Sequence, residues 1–547
     1  DIKAITRVKT CINQFNKANL IKYSQKIDSA IYETEHQITK MGKLGFTKWV
    51  NTALKNGAGI AHKWTSQTPK APPLPAYIKQ SNGTIISDPI EKNHYYRDEW
   101  NKQWGQRNSE YETMIKAIQY ISEKARYHND LDEVTGKGVL DGAKLLATNT
   151  ALGHDFWEVQ FLKNMTIEQA EELAKLFNAI EGCVTWPIQA YLNTIILMGK
   201  PAPATGVRPI ALMPMLYRLW TKIRKSDIGD WDLENRWPWD AAVKGSSALR
   251  AALLSLFHDE LAHLNGDKVA RILWDMEKFY DNINIIKLID RSMELEYPVI
   301  MMGLGIQMHM APRCIKAYET YSICELPKNG IIAGCTQSNI FARILLHRIM
   351  KAAEEAIPRP RQIMRSFVDD ISQAVTHKEE QQVMDQIVIG AVSLAQDLIG
   401  SGNKISPKSV IMASNKRMRD GIMKNLSKQG VKLKPAKVGR DLGIGTRLGI
   451  TRCTSIQNNR LMKVGGRVKR IKILNKVNKK AGRLFNTGAF PQASFGKEGC
   501  GTCPTTISKY RALAAQSASS QVKGQCATTT IWLVLGQQND PGLKCIT

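Results

Sequence analysis

Negative charge is scarce in this sequence, and the scarcity is concentrated in one place. Between Lys404 and Lys497 there are 24 Lys or Arg residues against Asp420 and Asp441 alone, so +22 of the chain's net charge of +27 sits there. An excess that lopsided exceeds a solvated face and points to a polyanionic partner, nucleic acid ahead of anionic membrane. Long apolar runs are also missing. None reaches the roughly eighteen residues of a membrane-crossing helix, and Ile531-Trp-Leu-Val-Leu535 is far too short. Nothing resembles a signal peptide, and no membrane partner is expected. The ten cysteines lack the spacing of a small disulfide framework, which implies free thiols and an intracellular setting, nuclear and/or cytoplasmic. Cys500-Gly-Thr-Cys503 with Cys526 and Cys545 is too irregular, and too far from any histidine, to read as a zinc site. The chain begins at Asp1 rather than Met, so a fragment or processed product is expected.

An apolar content of 43% supports ordinary packed cores over 547 residues, enough for roughly three to four domain-sized units. Residues 1 to about 65 read as helical. Pro69, Pro72, Pro73, Pro75 and Pro89 mark residues 64–90 as an extended linker without a core of its own. Helical character returns from about Asn93 to Tyr127, and the pattern becomes mixed α/β from Gly136. Thr166-Ile-Glu-Gln169 is a capping box ahead of Ala170, Leu173, Leu176, Phe177 and Ile180 on one helical face. Residues 190–198 read as a strand ending at Gly199-Lys200, and Arg208-Pro-Ile-Ala-Leu212 as its hairpin partner. Lys200 and Arg208 on that hairpin suit a triphosphate, Arg through bidentate bonds and Lys as a point charge.

Acids are few but placed. Met364-Arg-Ser-Phe-Val-Asp369-Asp370-Ile-Ser372 reads as a β-hairpin with two carboxylates at its tip. Upstream, the apolar strand Val269-Ala-Arg-Ile-Leu-Trp274 delivers Asp275 at its end. If the two lie side by side, Asp275, Asp369 and Asp370 form a hard-oxygen ligand set for two Mg²⁺ ions, with Mn²⁺ as a substitute, in phosphoryl transfer. Asp275 and Asp369 are the principal ligands in this reading and Asp370 the supporting one.

In this setting the sequence resembles the reverse transcriptases of non-LTR, LINE-like retrotransposons. Asp275-Met-Glu-Lys-Phe-Tyr280-Asp281 is similar to their first catalytic motif and Phe367-Val-Asp-Asp370 to their second. Between them, Asn329 to Asn339 resembles the Pro-Gln-Gly motif. Arg208 to Trp220 is similar to the fingers motif, Gly245-Ser-Ser-Ala248 to the Gly-Arg-Ser-Ala element, Asn403 to Ser409 to the lysine-bearing motif, and Asp441-Leu-Gly-Ile444 to the primer-grip turn. The order of these motifs, over roughly residues 190–500, is more specific than any one of them. The resemblance implies an α+β right-hand polymerase with fingers (136–260), a palm with an antiparallel sheet (261–415), and a basic helical thumb with a C-terminal extension (416–547). A helical N-terminal region (1–135) precedes them. It implies a nucleotide site of Lys200, Arg208, Tyr280 and Gln337, with Tyr280 as a steric gate against ribose, and Lys408 as general acid toward pyrophosphate. The partners it implies are an RNA template, a DNA primer, deoxynucleoside triphosphates and an endonuclease domain upstream of Asp1. No ribonuclease H-like pattern of acids follows residue 500.

The run from Arg460 to Lys480 reads as an amphipathic basic helix, with Val464, Val468, Ile471, Leu474 and Val477 as its buried stripe. Arg460, Lys463, Arg467, Lys469, Arg470, Lys472, Lys476, Lys479 and Lys480 are its candidate phosphate contacts. It lacks the Trp or Phe that a membrane-seeking face would carry. One departure from the family stands out. Pro-Gln-Gly is Thr336-Gln337-Ser338 here, which removes the close approach that glycine permits, and Glu325 to Gly330 is expected to supply the turn instead. Two rival readings are a viral-type RNA-dependent RNA polymerase, which usually carries glycine where Val368 stands, and a decayed maturase-like RNA-binding protein. The intact acids argue against the latter.

Overall fold

The computed structural model describes residues 20–66, 72–80, 82–128, 131–200, 206–449, 451–519 and 524–546. The helical reading of residues 1–19 falls outside them. Two units make up the chain, one from Asp1–Thr68 with Ser455–Thr547 and the other from Pro69–Thr454. The expected N-terminal region, 1–135 with its Pro-rich linker at about 64–90, divides between them within that linker. Leu20–Lys55 and Gly59–Ser66 pack with the C-terminal helices, because Phe46, Trp49 and Trp64 form an aromatic group beside the buried Val50, Leu461, Val464 and Val468. In that same unit Ser455–Val477 is the expected basic helix, and its stripe of Val464, Val468, Ile471 and Leu474 is fully buried.

In the Pro69–Thr454 unit the central feature is a five-stranded sheet, ordered Lys434–Pro435, Val410–Ala413, Lys268–Trp274, Asp370–His377, Gln362–Phe367. All neighbours are antiparallel except the edge pair Val410–Ala413 and Lys434–Pro435. The helices Ser338–Ala356, Glu380–Gly400 and Ala248–Leu264 pack on it. Glu380–Gly400 has the length and mean hydropathy of a membrane span, but its apolar stripe of Val383, Ile387, Leu394 and Leu398 is buried in this core. Gly390 lets that helix approach closely, since a Cβ there would lie 2.5 Å from Gln362 Oε1. Gln362 belongs to a buried chain in which Trp274 Nε1 donates to Gln373 Oε1 at 3.1 Å and Gln373 Nε2 donates to Gln362 Oε1 at 2.7 Å. Such satisfied networks fix strand register from within.

Arg271 on the central strand is the other internal fastener. Its guanidinium grips Asp259 at 2.6 and 3.0 Å and donates to Ser372 Oγ at 2.7 Å, all of it out of water. Arg271→Met should lower the unfolding free energy by about 3–5 kcal/mol, because Asp259 is left as an uncompensated buried charge. A urea titration of the variant against Arg271→Met/Asp259→Leu checks this, the double variant recovering most of the loss.

A second, four-stranded sheet is ordered Val207–Leu212, Asn193–Gly199, Arg313–Ala317, Thr320–Tyr321. The first pair is the expected hairpin, with Met198 opposite Arg208. Its third strand was not foreseen and runs parallel to Asn193–Gly199, so a segment from within the expected palm range completes the sheet next to the fingers hairpin. The Pro-rich stretch expected as a linker is, from residue 72, an arm laid on this sheet. Proline lacks a donor but keeps its carbonyl, and the arm is held mainly by its carbonyls. Pro72 O packs directly on Gly199, Pro75 O accepts from the Tyr318 hydroxyl at 2.9 Å, and Ala76 O accepts from Lys92 at 2.8 Å. Ile78 is buried there with Tyr96, Trp100, Trp104, Ile195 and Leu197.

Candidate active site

The hairpin and the central strand bring the acids together through register. Trp274 stands opposite Ile371, so the next position along sets Asp275 against Asp370, while Phe367 pairs with Asp370 and leaves Val368-Asp369 as a two-residue turn. Val368 adopts φ +59°, a conformation β-branched residues avoid at a cost of about 1–2 kcal/mol. The tip is thus held in a strained shape by the strands on either side of it.

Crowding of like charges shows in the titration of these acids. Burial, followed by the charges of Asp369, Asp275 and Asp441, pushes the Asp370 carboxyl up to about 6 against the partial relief from Arg365. Asp369 is raised as well, chiefly by burial and then by Asp275. Arg365 lies on the strand entering the turn and binds Asp441 through two bonds of 2.5 and 3.0 Å. Asp441 opens a tight hairpin, Gly439–Asp441 with Ile444–Thr446, whose turn residues Leu442 and Gly443 have φ of +44° and +87°. The segment resembling the primer grip is therefore strapped to the strand that carries the acids.

Asp275 is clasped by the loop that bears Lys408. Its N–H donates to Ser409 Oγ at 3.0 Å, and its carbonyl accepts from Ser406 N–H at 2.8 Å and from the Ser409 hydroxyl at 3.2 Å. Lys404–Ile405 pairs with Met276–Glu277 just beyond. Lys408 is exposed on this loop, its N–H capped by Ser406 Oγ at 3.2 Å.

Past Asp275 the chain turns through Lys278 into the short helix Phe279–Asn282. Tyr280 is half-buried, donates to Asn339 Oδ1 at 2.8 Å, and has its phenol pushed up to about 12 by burial and by the charge of Asp369. Gly330, at φ +77°, packs so tightly on Asp281 that a Cβ would meet its carbonyl oxygen at 2.5 Å. Asn329 Nδ2 donates to that same oxygen at 2.8 Å, and Ile331 N–H to Tyr280 O at 2.8 Å. In the segment Glu325–Gly330, expected to supply a turn, the chain bends at 328–329, and the close approach of Gly330 is to this backbone. Lys200 completes the surroundings. Burial first, and then Arg208, Lys278 and Lys408, lower its proton affinity, with Asp281 opposing. Arg208, Lys278 and Lys408 are accordingly each within electrostatic range of Lys200.

Several expected residues lie elsewhere. Gln337 is fully buried, its side chain pressed against Gly305 with neither amide atom partnered, so it does not face a nucleotide. Ser338 Oγ donates inward to Ile332 O at 2.5 Å, and Thr336 Oγ1 accepts from Thr221 Oγ1 at 3.3 Å. On the basic helix the arginines are engaged within their own unit. Arg460 donates to Phe495 O at 2.9 Å, Arg467 is buried against His62 and Gln492, and Arg470 donates to Thr65 O at 2.7 Å. A planar guanidinium satisfies several fixed acceptors at once, whereas an ammonium stays hydrated. Lys463, Lys469, Lys476, Lys479 and Lys480 are exposed and Lys472 half-buried, in contrast to these arginines. Three residues at the site were not foreseen: Ser406, Ser409 and Lys278. The first and last of the sequence Ser406-Pro-Lys-Ser409 bracket Lys408, and that bracketing is the one signal they offered.

The Pro69–Thr454 unit is thus a mixed α+β body whose antiparallel sheet presents acids at one end beside a group of cations. No protein family model and no curated protein matches the sequence. Among solved structures, an apo telomerase from Candida tropicalis, truncated from its C-terminal domain, is similar over 48% of this chain and 54% of that one, at 14% identity and a TM-score of 0.35. The chain therefore spans about half the length of that structure, and a likeness at this level carries no inference about activity.

Proposed function

We propose that this chain is a nucleotidyltransferase with a right-hand polymerase layout, an RNA-directed DNA polymerase of a non-LTR retroelement acting inside the cell. The observation that carries the reading is the convergence of Asp275, Asp369 and Asp370 at one end of the paired strands, with Lys408 on the loop that clasps Asp275 and with Lys200 feeling the charges of both Lys408 and Arg208. Carboxylates that repel one another beside cations that repel one another suit a ligand set with both a metal and a polyphosphate.

The acids fit divalent cations by chemistry, being hard oxygen donors; burial first, and then the neighbouring carboxylates, raise Asp370 to about 6. Among the described residues no three His, Cys, Asp or Glu side chains are gathered as a ready cage. Mg²⁺ in nucleotide enzymes is usually held by one or two carboxylates, with waters and substrate phosphates completing the shell. Asp275 and Asp369 would hold such ions, with Asp370 in support, and bound Mg²⁺ would supply neutralisation of the triphosphate and activation of the primer 3′-hydroxyl. The chain's own residues do the rest. Lys200 and Arg208 bind and orient the triphosphate, and Tyr280 takes the place under the sugar. Lys408 is held near the phosphates by the Ser406–Ser409 clasp and favours departure of pyrophosphate, as proton donor or as cation. The exposed lysines of Ser455–Val477 and its following turn contact the duplex backbone without reading sequence, so binding should weaken steeply with salt.

The direct test is Mg²⁺-dependent incorporation on a primed RNA. Wild type should extend the primer with deoxynucleotides, and Asp369→Ala should not. Extension by ribonucleotides instead would favour the RNA-polymerase reading, and equal activity in the two proteins would remove these acids from the chemistry.

A further inference from the structure

Lys278 has no part in the reading above, yet it sits three residues past Asp275 and two before Tyr280 on backbone that L-residues avoid, with φ +44° and ψ +49°. A non-glycine residue held there is strained, and such strain persists where the surroundings over-determine it. Those surroundings are the Pro89–Trp104 helix. The Lys278 ammonium donates to Gln103 Oε1 at 3.2 Å and lies 4.8 Å from the centroid of the Trp100 ring. Gln103 is itself buried and fixed from its other end, where Nε2 donates to Asn282 Oδ1 at 2.8 Å. Asn282 Nδ2 in turn donates to Glu277 O at 2.7 Å. A lysine can only donate, so a single orientation of the Gln103 amide serves both partners.

Both partners of Lys278 are neutral, and its positive charge is aimed without being cancelled. An ammonium held only for stability would find a carboxylate, whereas Lys278, although exposed, is held by two neutral partners. Here it joins Arg208 and Lys408 in the group whose charges press on Lys200. Asp281 feels both Lys278 and Lys200, but its charge is shared with the buried Arg313. Asp281 is thus the one carboxylate bearing on Lys200 against three cations, and a polyanion would relieve that local imbalance.

We propose that Lys278 is a fourth phosphate-binding cation of the nucleotide site, poised by Gln103 and Trp100 to receive the polyphosphate of an incoming nucleoside triphosphate. The identity of the ligand as a nucleotide rests on the polymerase reading, whereas the anion site itself does not. The test therefore has two arms on the full chain. In the first, inorganic tripolyphosphate is titrated calorimetrically without divalent metal. Lys278→Ala should weaken binding about tenfold, and Lys278→Arg should stay within about threefold of wild type. Gln103→Glu, which would tie the ammonium into an ion pair, should weaken binding at least as much as Lys278→Ala. Lys43→Ala, an exposed lysine of the Leu20–Lys55 helix with no assigned role, should bind as wild type does. In the second arm, primer extension by Lys278→Ala should show a KM for deoxynucleotide raised about tenfold with kcat within about twofold. Tripolyphosphate affinity of Lys278→Ala within twofold of wild type, or an equal loss in Lys43→Ala, overturns the proposal. Loss of tripolyphosphate binding in Lys278→Ala together with no incorporation by wild type keeps the anion site and removes the polymerase reading instead. Lys278 is exposed, so its alanine variant keeps the test open even if Gln103→Glu fails to fold.

Discussion

Asp275→Asn is expected to lower deoxynucleotide incorporation about a thousandfold, roughly 4 kcal/mol of transition-state stabilisation, with the folded chain intact. Asparagine keeps the side chain's shape, and the bonds that clasp position 275 run through its backbone to Ser406 and Ser409. The fold therefore does not depend on this carboxylate. Single-turnover incorporation beside a urea titration separates the two effects, and an unfolding midpoint that moves as far as the rate would mean that the acid is structural.

The same substitution has a pH signature. Asp370 titrates at about 6 in the folded chain against an ordinary value of 3.8. Between those values the folded state holds a proton that the unfolded state has released. Stability of the metal-free protein therefore falls as pH rises from near 3.8 through about 6, and metal affinity grows over the same interval as the carboxylate ionises. Added Mg²⁺ should raise the melting temperature at pH 7.5 and do little at pH 5. Asp275→Asn removes one of the charges that raise Asp370, so the inflection should move toward acid. An inflection that stays put would mean that burial and the charges of Asp369 and Asp441 set it without Asp275.

The acids were legible because each depends on a short-range pattern. Phe367-Val before and Ile371 after two aspartates fit a hairpin, and an apolar strand leads into Asp275. Two strands of opposite direction then need only one register to bring the three together. The clasp on Asp275 was not legible, because Ser406 and Ser409 act through hydroxyl and backbone bonds across more than a hundred residues and leave no periodic trace. The arm at residues 72–80 was misjudged for a related reason. Proline content marks extended chain correctly but does not reveal whether carbonyls find donors, as Pro75 does in Tyr318.

Charge counting misled at the basic helix, although the sequence held the correction. Arg467 falls three residues after Val464 and four before Ile471, on the stripe that was expected to be buried. Read by helical position, it belongs inside, where it meets His62 and Gln492. Gln337 shows the opposite failure. A role carried over by resemblance met a local fold in which Gly305 leaves room for the amide, so it turned inward and Ser338 followed with its bond to Ile332.

Tyr280→Ala is expected to let ribonucleotides in, reducing the preference for deoxynucleotides about a hundredfold, or roughly 2.7 kcal/mol. The ring is held on several sides. Its backbone carbonyl accepts from Ile331 at 2.8 Å, its hydroxyl donates to Asn339 at 2.8 Å, and Phe279 lies edge-on with ring centroids 5.5 Å apart. A phenol pushed up to about 12 stays protonated at any working pH, so the bond to Asn339 persists. A ring fixed in this way next to Asp369 cannot swing aside for a 2′-hydroxyl, and rejection by a rigid wall is steric rather than a matter of hydrogen bonding. Tyr280→Phe separates these causes, because it keeps the wall and removes only the bond. Discrimination in Tyr280→Phe should remain within about threefold of wild type while Tyr280→Ala loses it. If phenylalanine loses as much as alanine, the Asn339 bond and not the ring is selecting the sugar. If neither variant changes the preference, Tyr280 is a packing residue and the sugar is read elsewhere in the site.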